Sequence, residues 1–306
     1  MTNRDAALLT CVAAAAVMGG CQRTAAVDPA TITAVTTISI LADFVKAVGG
    51  AHVRVDTIVH VGGDPHVYEP TPSDARRLTE ADIVFRNGLG LERWLDKLIG
   101  GSRPDRPVVT LTEGLVPLVQ ESGTYAGDPD PHMWMDPALA NRYVERARDA
   151  LAALDPARAA DYERNARAYL AELADLDRWI ATRIASIPPA NRKLVTTHDA
   201  FRYFGVRYGL EVVGTIWSIS TEREPSAAEI RRLVDAVRHQ RVPTVFVETT
   251  INPKIMEQVA RDAGVEVGLP LYGDSVGAPG SGAETYVGMM RANTRAIARG
   301  LGGQPT

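Results

Sequence analysis

Residues 155–189 read DPARAADYERNARAYLAELADLDRWIATRIASIPP. Asp155 and Pro156 supply a helix cap and a first-turn proline, and the pair Pro188-Pro189 ends the pattern. In between, Tyr162, Ala166, Tyr169, Leu173, Leu176 and Ile180 recur at three- and four-residue steps, so one stripe of the helix can pack while the rest faces water. The predicted helix, 156–187, is about 30 residues and about 45 Å long at ~1.5 Å per residue. It is either a long peripheral helix of one domain or a stiff rod joining two lobes, and the rod is the reading adopted here.

Outward from that helix, both flanks alternate strand and helix. On the N-terminal side, ITAVTTISI (32–40), VRVDTIV (53–59), IVFRNG (83–88) and VVTL (108–111) read as strands, with helical stretches at 41–48, 73–80 and 91–99. On the C-terminal side the strands are KLVTTH (193–198), EVVGTI (211–216), TVFVE (244–248) and VEVG (265–268), with helices at 226–239, 253–263 and 284–300. Such alternation implies βαβ units around a mostly parallel sheet, an α/β fold whose second half repeats the architecture of the first.

The chain has 306 residues, 45% hydrophobic and 23% charged, which suits a globular protein of about two domains. A net charge of −4 with no dense Lys/Arg run excludes a phosphate-backbone footprint, so no nucleic-acid partner is expected. Residues 1–20 differ from the rest. Arg4 precedes a run from Ala6 to Gly20 that is apolar or small except for Thr10, and the run ends at Cys21. It is too short to span a bilayer, which takes ~20 apolar residues. The pattern fits a signal peptide (1–20) cleaved before a lipidated cysteine, with 21–31 as a tether on the outer side of the membrane. The competing reading, an export signal retained or cut elsewhere, draws on Asp5 beside the single Arg4 and on Met18 three residues before the cysteine. The other cysteine, Cys11, lies inside the leader, so a mature chain has no disulfide and no thiolate for a metal.

Three of the six histidines sit in loops that look built to hold a side chain. His66 lies in GGDPHVYEPTPSD (62–74), His132 in DPDPHMWMDP (128–137) and His198 in TTHDAF (196–201). Proline precedes the first two and fixes its own φ, while Asp64 and Asp130 are near enough to accept from the ring nitrogen that does not bind metal. His198 emerges from the carboxyl end of a strand, where parallel sheets form their crevices, and His66 can reach the same place. His52, His60 and His239 lack such framing and read as surface or structural. Three imidazoles need a fourth donor to close a tetrahedral site, and spacing alone leaves Glu248 and Asp274 as alternatives.

With these residues together, the chain resembles the zinc- and manganese-binding solute-binding proteins of ABC importers. The likeness runs through GGDPHVYEPTPSD, NGLGLERWL (87–95), DPHMWMDP, YERNARAYLAELADLD (162–177), TTHDAFRYFGVRYGL (196–210), ISTEREPSAAEI (219–230), FVETTINPK (246–254) and LYGDSVG, in order from Ile32 to Leu301. The resemblance implies two α/β lobes, 32–155 and 188–306, joined by one long rigid helix, 156–187, with the metal in the cleft between them. It implies the ligands His66, His132, His198 and Asp274, and leaves Glu248 a supporting role. It further implies one Zn2+ or Mn2+ carried as cargo, a monomer that meets an ABC permease and its ATPase, and attachment to the membrane through a lipid on Cys21.

In this family a Glu at the place of His198 goes with manganese, whereas three imidazoles and a carboxylate suit zinc. Zinc outranks manganese at most such sites, however, and the His-rich acidic loop of many zinc members is replaced here by VPLVQESGTYAGDPDP (116–131). Two other readings remain for comparison. A secreted zinc hydrolase would need machinery such as HExxH or GxSxG, and neither motif occurs. A metal-stabilised surface adhesin could coexist with transport.

Overall fold

The computed structural model describes residues 31–99, 105–121 and 123–305. The expected signal peptide, Cys21 and the tether up to residue 30 lie outside the described residues. The first half builds one parallel sheet from β1 (Ile32–Thr36), β2 (Val53–Thr57), β3 (Ile83–Arg86) and β4 (Val108–Thr110), in the order β2-β1-β3-β4. Ala34 lies opposite Ile83 and Val84 opposite Val108 in this register. Helices α1 (Ser39–Gly49), α2 (Pro72–Glu80) and the short α3 (Leu95–Ile99) connect the strands.

Two expectations shift here. The strand expected over 32–40 stops at Thr36, whose hydroxyl turns onto the Ile38 carbonyl (3.3 Å) as α1 begins. Of the helix expected over 91–99, only 95–99 forms, because the buried Glu92 carboxylate collects Thr37 Oγ1, Asn87 N and Gly88 N at 2.7, 2.7 and 3.0 Å and holds a turn instead.

Next comes α4 (Pro137–Leu154), an element absent from the sequence reading. Asp136 caps it by accepting from Ala138 N at 2.8 Å, and it buries Ala140, Tyr143, Val144, Ala147 and Leu151. The long helix α5 (Ala159–Ala185) follows after a single 3-10 turn, slightly shorter than the pattern suggested. Every member of its expected stripe is buried. It packs on α1 and α4 on one side and on elements of the second half on the other. Asn165 Nδ2 donates to the Val48 carbonyl (3.0 Å) and Tyr169 Oη to Asp43 (2.8 Å), whereas Asp177 accepts from Tyr208 Oη (2.7 Å).

The second half holds β5 (Lys193–Thr196), α6 (Arg202–Tyr208), β6 (Glu211–Thr215), α7 (Ala227–Gln240), β7 (Thr244–Val245), α8 (Lys254–Ala263), β8 (Glu266–Val267) and α9 (Tyr286–Gly300). The pairs β5-β6 and β7-β8 are parallel, and a bond from Phe246 N to the Val195 carbonyl (2.9 Å) sets them side by side. The resulting order β6-β5-β7-β8 reproduces that of the first sheet, as the alternating pattern implied. Helix α9 then returns to α5 and α1, where Tyr286 N donates to Asp43 Oδ2 at 2.9 Å. One apolar cluster therefore runs from Ile32 through Phe44, Trp134, Tyr143 and Phe204 to Leu301.

Candidate metal centre

Each of the three framed histidines leaves a loop beside the end of a sheet, held by backbone contacts that its neighbours dictate. After β2 the chain turns at Gly62 (φ 82°), which glycine adopts without strain. Asp64 Oδ1 then accepts from His66 N at 2.9 Å, while its other oxygen accepts from Thr221 Oγ1 of the second half at 2.7 Å. In Asp130-Pro131-His132, Asp130 Oδ1 accepts from His132 N at 3.0 Å and lies 2.8 Å from the Nδ1 of the same ring. The flanking carbonyls are fixed too, Pro131 O by Asn87 Nδ2 (3.0 Å) and Asp130 O by Tyr203 Oη (2.8 Å).

His198 follows β5 directly. Glu248 Oε1 accepts from its backbone N at 2.7 Å, and Oε2 lies 2.7 Å from its Nδ1. Glu248 is itself placed by a bridge to Leu271, which leads into the loop carrying Asp274. Of the three acidic residues expected to support the rings, Asp130 and Glu248 face an Nδ1, whereas Asp64 holds the backbone of its histidine.

With each Nδ1 turned outward or unengaged, the three Nε2 atoms converge. His66 and His132 are 3.4 Å apart at Nε2, His132 and His198 3.3 Å. Asp274 Oδ2 lies 3.2 Å from His198 and 3.6 Å from His66, and Oδ1 lies 3.4 Å from His132. A tetrahedral zinc with bonds of ~2.0–2.1 Å has donor-to-donor edges of ~3.3 Å, so this spacing fits such an ion. His132 and His198 are fully buried, Asp274 is 1% exposed and His66 7%. A cavity of about 20 Å³ bounded by His66, Leu89, Tyr125, Pro131 and Ile219 touches the cluster. That is room for little more than one water.

Among the described residues, both buried oxygens of Asp274 have no polar partner other than the three histidine rings. Buried carboxylate oxygens rarely go unsatisfied, and a cation is the partner this geometry suits. The titration of the rings is split. Burial drives His66 down to about 3, with Asp274 opposing and the other two histidines assisting. Burial also disfavours the His198 imidazolium, but Glu248 and Asp274 outweigh it and hold that pKa well above the ordinary histidine value. Burial would raise the Asp274 carboxyl, yet His198 beside it holds it well below the usual range. At neutral pH the metal-free cluster therefore keeps a neutral His66 and an imidazolium at His198 between two carboxylates.

The resemblance implies His66, His132, His198 and Asp274, and the structure brings ligand atoms of these four within 4.8 Å of one another. It leaves the other histidines elsewhere: His52 meets Asp161 at 3.1 Å on α5, His60 is exposed, and His239 is exposed near the end of α7. Several contributors carried no sequence signal. Thr221 and Tyr203 reach in from the second half, and Gly273 leaves no room for a side chain, since a Cβ there would overlap Glu248 Oε2 and sit 3.2 Å from His198 Cε1. Asp199, next to His198, is pushed up to about 6 by burial and by the Asp130 charge.

Comparison with known proteins gives one consistent result. Residues 34–300 match the family described as zinc-uptake complex component A, periplasmic. The chain is 41% identical over 268 residues to the manganese-binding lipoprotein MntA of Halalkalibacterium halodurans, covering 87% of each chain. It is 36% identical to the iron-binding protein YfeA of Yersinia pestis, over 88% of this chain and 86% of that one. Among solved structures, the periplasmic zinc-binding protein TroA from Treponema pallidum superposes with a TM-score of 0.84 at 32% identity, covering 89% of this chain and 99% of that chain.

Proposed function

This chain belongs to the periplasmic zinc-uptake component A family, and from that premise we propose that it is an exported solute-binding protein that captures one zinc or manganese ion and delivers it to an ABC permease and its ATPase. The observation that carries the reading is the buried cage of three Nε2 atoms and the Asp274 carboxylate, with donors 3.2–3.6 Å apart. His66 and His132 come from the lobe 32–155, His198 and Asp274 from the lobe 188–306, with 156–187 as the linking helix. An ion held by all four crosslinks the lobes, which gives the permease a loaded form distinct from the empty one.

Four protein donors leave no open position for an activated water, so the set suits carriage better than hydrolysis. His66 borders the small cavity, and the ion enters past it. Because His198 is protonated in the empty protein, capture at neutral pH expels a proton, and acidification favours release. Outside the described residues, Cys21 is the lipid attachment site in this reading. The tether to residue 31 then lets the domain stand at most ~35 Å from its anchor.

The test is calorimetric titration of the metal-stripped mature protein with zinc and with manganese, beside His66→Ala and Asp274→Ala. One ion per chain, bound tightly by the parent and at least ~100-fold more weakly by both variants, supports the reading. Variants that bind like the parent would remove the proposed ligand set.

A further inference from the structure

The loop that presents His132 also presents Trp134, whose side chain is fully buried. Its indole N–H donates to the Gly273 carbonyl at 3.0 Å, one residue before Asp274. Its ring stands edge-on to that of His132, with centroids 5.3 Å apart and planes at 72°. Its own carbonyl accepts from the hydroxyl of Tyr286, on α9, at 2.7 Å. One side chain thus touches a donor from the first half and the loop that carries a donor from the second. Resting on the metal-carrying reading above, we infer that Trp134 is a positioning residue that fixes the His132–Asp274 edge of the cage and so sets which ion the site prefers.

Among the described residues the Asp274 oxygens meet no polar partner besides the cage histidines, so the backbone on either side of Asp274 sets where the carboxylate sits. On one side of it, Ser275 Oγ accepts from Gly62 N at 2.8 Å and meets Ser39 Oγ at 3.2 Å. On the other, Gly273 is confined between Glu248 and His198 behind it and the indole N–H in front. Without that N–H the buried Gly273 carbonyl loses its partner, and the loop must shift to find another. Asp274 turns Oδ1 to His132 Nε2 (3.4 Å) and Oδ2 to His198 Nε2 (3.2 Å), so a shift of this loop decides whether one oxygen or both meet the ion. A tetrahedral zinc takes a single oxygen as its fourth donor. Manganese favours six donors in an octahedral arrangement, and tolerates a carboxylate that has moved back or turned to offer both oxygens. The tie from Trp134 therefore favours zinc over manganese.

The test compares the parent with Trp134→Phe and Tyr286→Phe in zinc and manganese affinity, by competition with a chelator, and in the visible spectrum of the cobalt(II) form. For Trp134→Phe the expected result is a zinc affinity at least ~10-fold weaker with manganese changed less than about threefold, together with a weaker cobalt band as coordination rises above four. Tyr286→Phe keeps the bond to Gly273 and loses the one behind it, so it shifts the metal ratio the same way by less, and it decides the matter if Trp134→Phe does not fold. Equal weakening of both metals, or an unchanged ratio and cobalt spectrum, would reduce Trp134 to a packing residue and overturn the inference. A parent that binds neither metal would instead overturn the metal-carrying reading itself.

Discussion

Replacing Glu248 by Gln leaves its volume unchanged and separates orientation from ligation. In the parent one carboxylate oxygen accepts from His198 N and the other faces Nδ1, both at 2.7 Å. A carboxamide can accept through only one of its two ends, so one of these contacts is lost. If the lost contact is the one to Nδ1, the ring is free to carry its proton on Nε2, the atom that faces the cage. Removing such a supporting group costs ~10–100-fold in metal affinity, or about 1.4–2.7 kcal/mol. The proton balance changes as well, because Glu248 and Asp274 together hold His198 protonated in the empty site. Zinc titrations at pH 7 in two buffers of different ionisation enthalpy report both quantities. The parent should release about one proton per ion from His198, and Glu248→Gln should release distinctly fewer while binding at least ~10-fold more weakly. A variant within about threefold of the parent in affinity, releasing as many protons, would refute the argument that this carboxylate orients and charges the ring.

Three further expectations follow from the same geometry. His66 titrates near 3 when folded and at ~6.5 when unfolded; the unfolded chain therefore binds more protons between those values, and metal-free stability present above pH ~6.5 drains away as pH falls towards 3. His198 has the opposite sign, its contribution being complete below ~6.5 and lost as pH rises through its raised folded value, so thermal melts of metal-free parent and His66→Gln should differ mainly on the acid side; a flat parent melting temperature between pH 6.5 and 4 would contradict this. Gly273→Ala, which would push against Glu248, should destabilise the metal-free protein by ~1–3 kcal/mol and weaken zinc binding disproportionately, as melts with and without metal would reveal; an Ala variant that melts and binds like the parent contradicts it. Solution scattering should show little change in overall size on adding zinc, since α5 and α9 both pack across the two halves, and a large closure would count against this.

Much of this arrangement was legible in the sequence because its signals are local. Asp-Pro-His writes out a carboxylate, a fixed φ and a ring within three residues, and Asp130 does accept from both His132 nitrogens that face it. The α5 stripe was readable because Tyr, Leu and Ile alternate against charged positions. Helix α4 opens with the same Asp-Pro signal, yet two positions of its buried face, Ala140 and Ala147, are alanines, which give little apolar contrast. Spacing could not divide Glu248 from Asp274, because the distinction is which edge of the His198 ring each one faces: Glu248 lies at Nδ1 and Asp274 at Nε2. The bond from Trp134 to Gly273 joins positions 139 residues apart, and no periodicity records such a contact.

The seat of α9 has a consequence for biogenesis. Residues 286–300 complete packing begun by α1, near the start of the folded chain, through Tyr286 against Asp43 and Phe44, with the Phe44 and Tyr286 rings 4.8 Å apart. A chain threaded across a membrane N-terminus first would present its opening βαβ units long before the helix that closes their core. A chain cut short before residue 286 should uncover Phe44 and strip Asp43 of the Tyr286 donor, and limited proteolysis should therefore cleave it faster than the full chain.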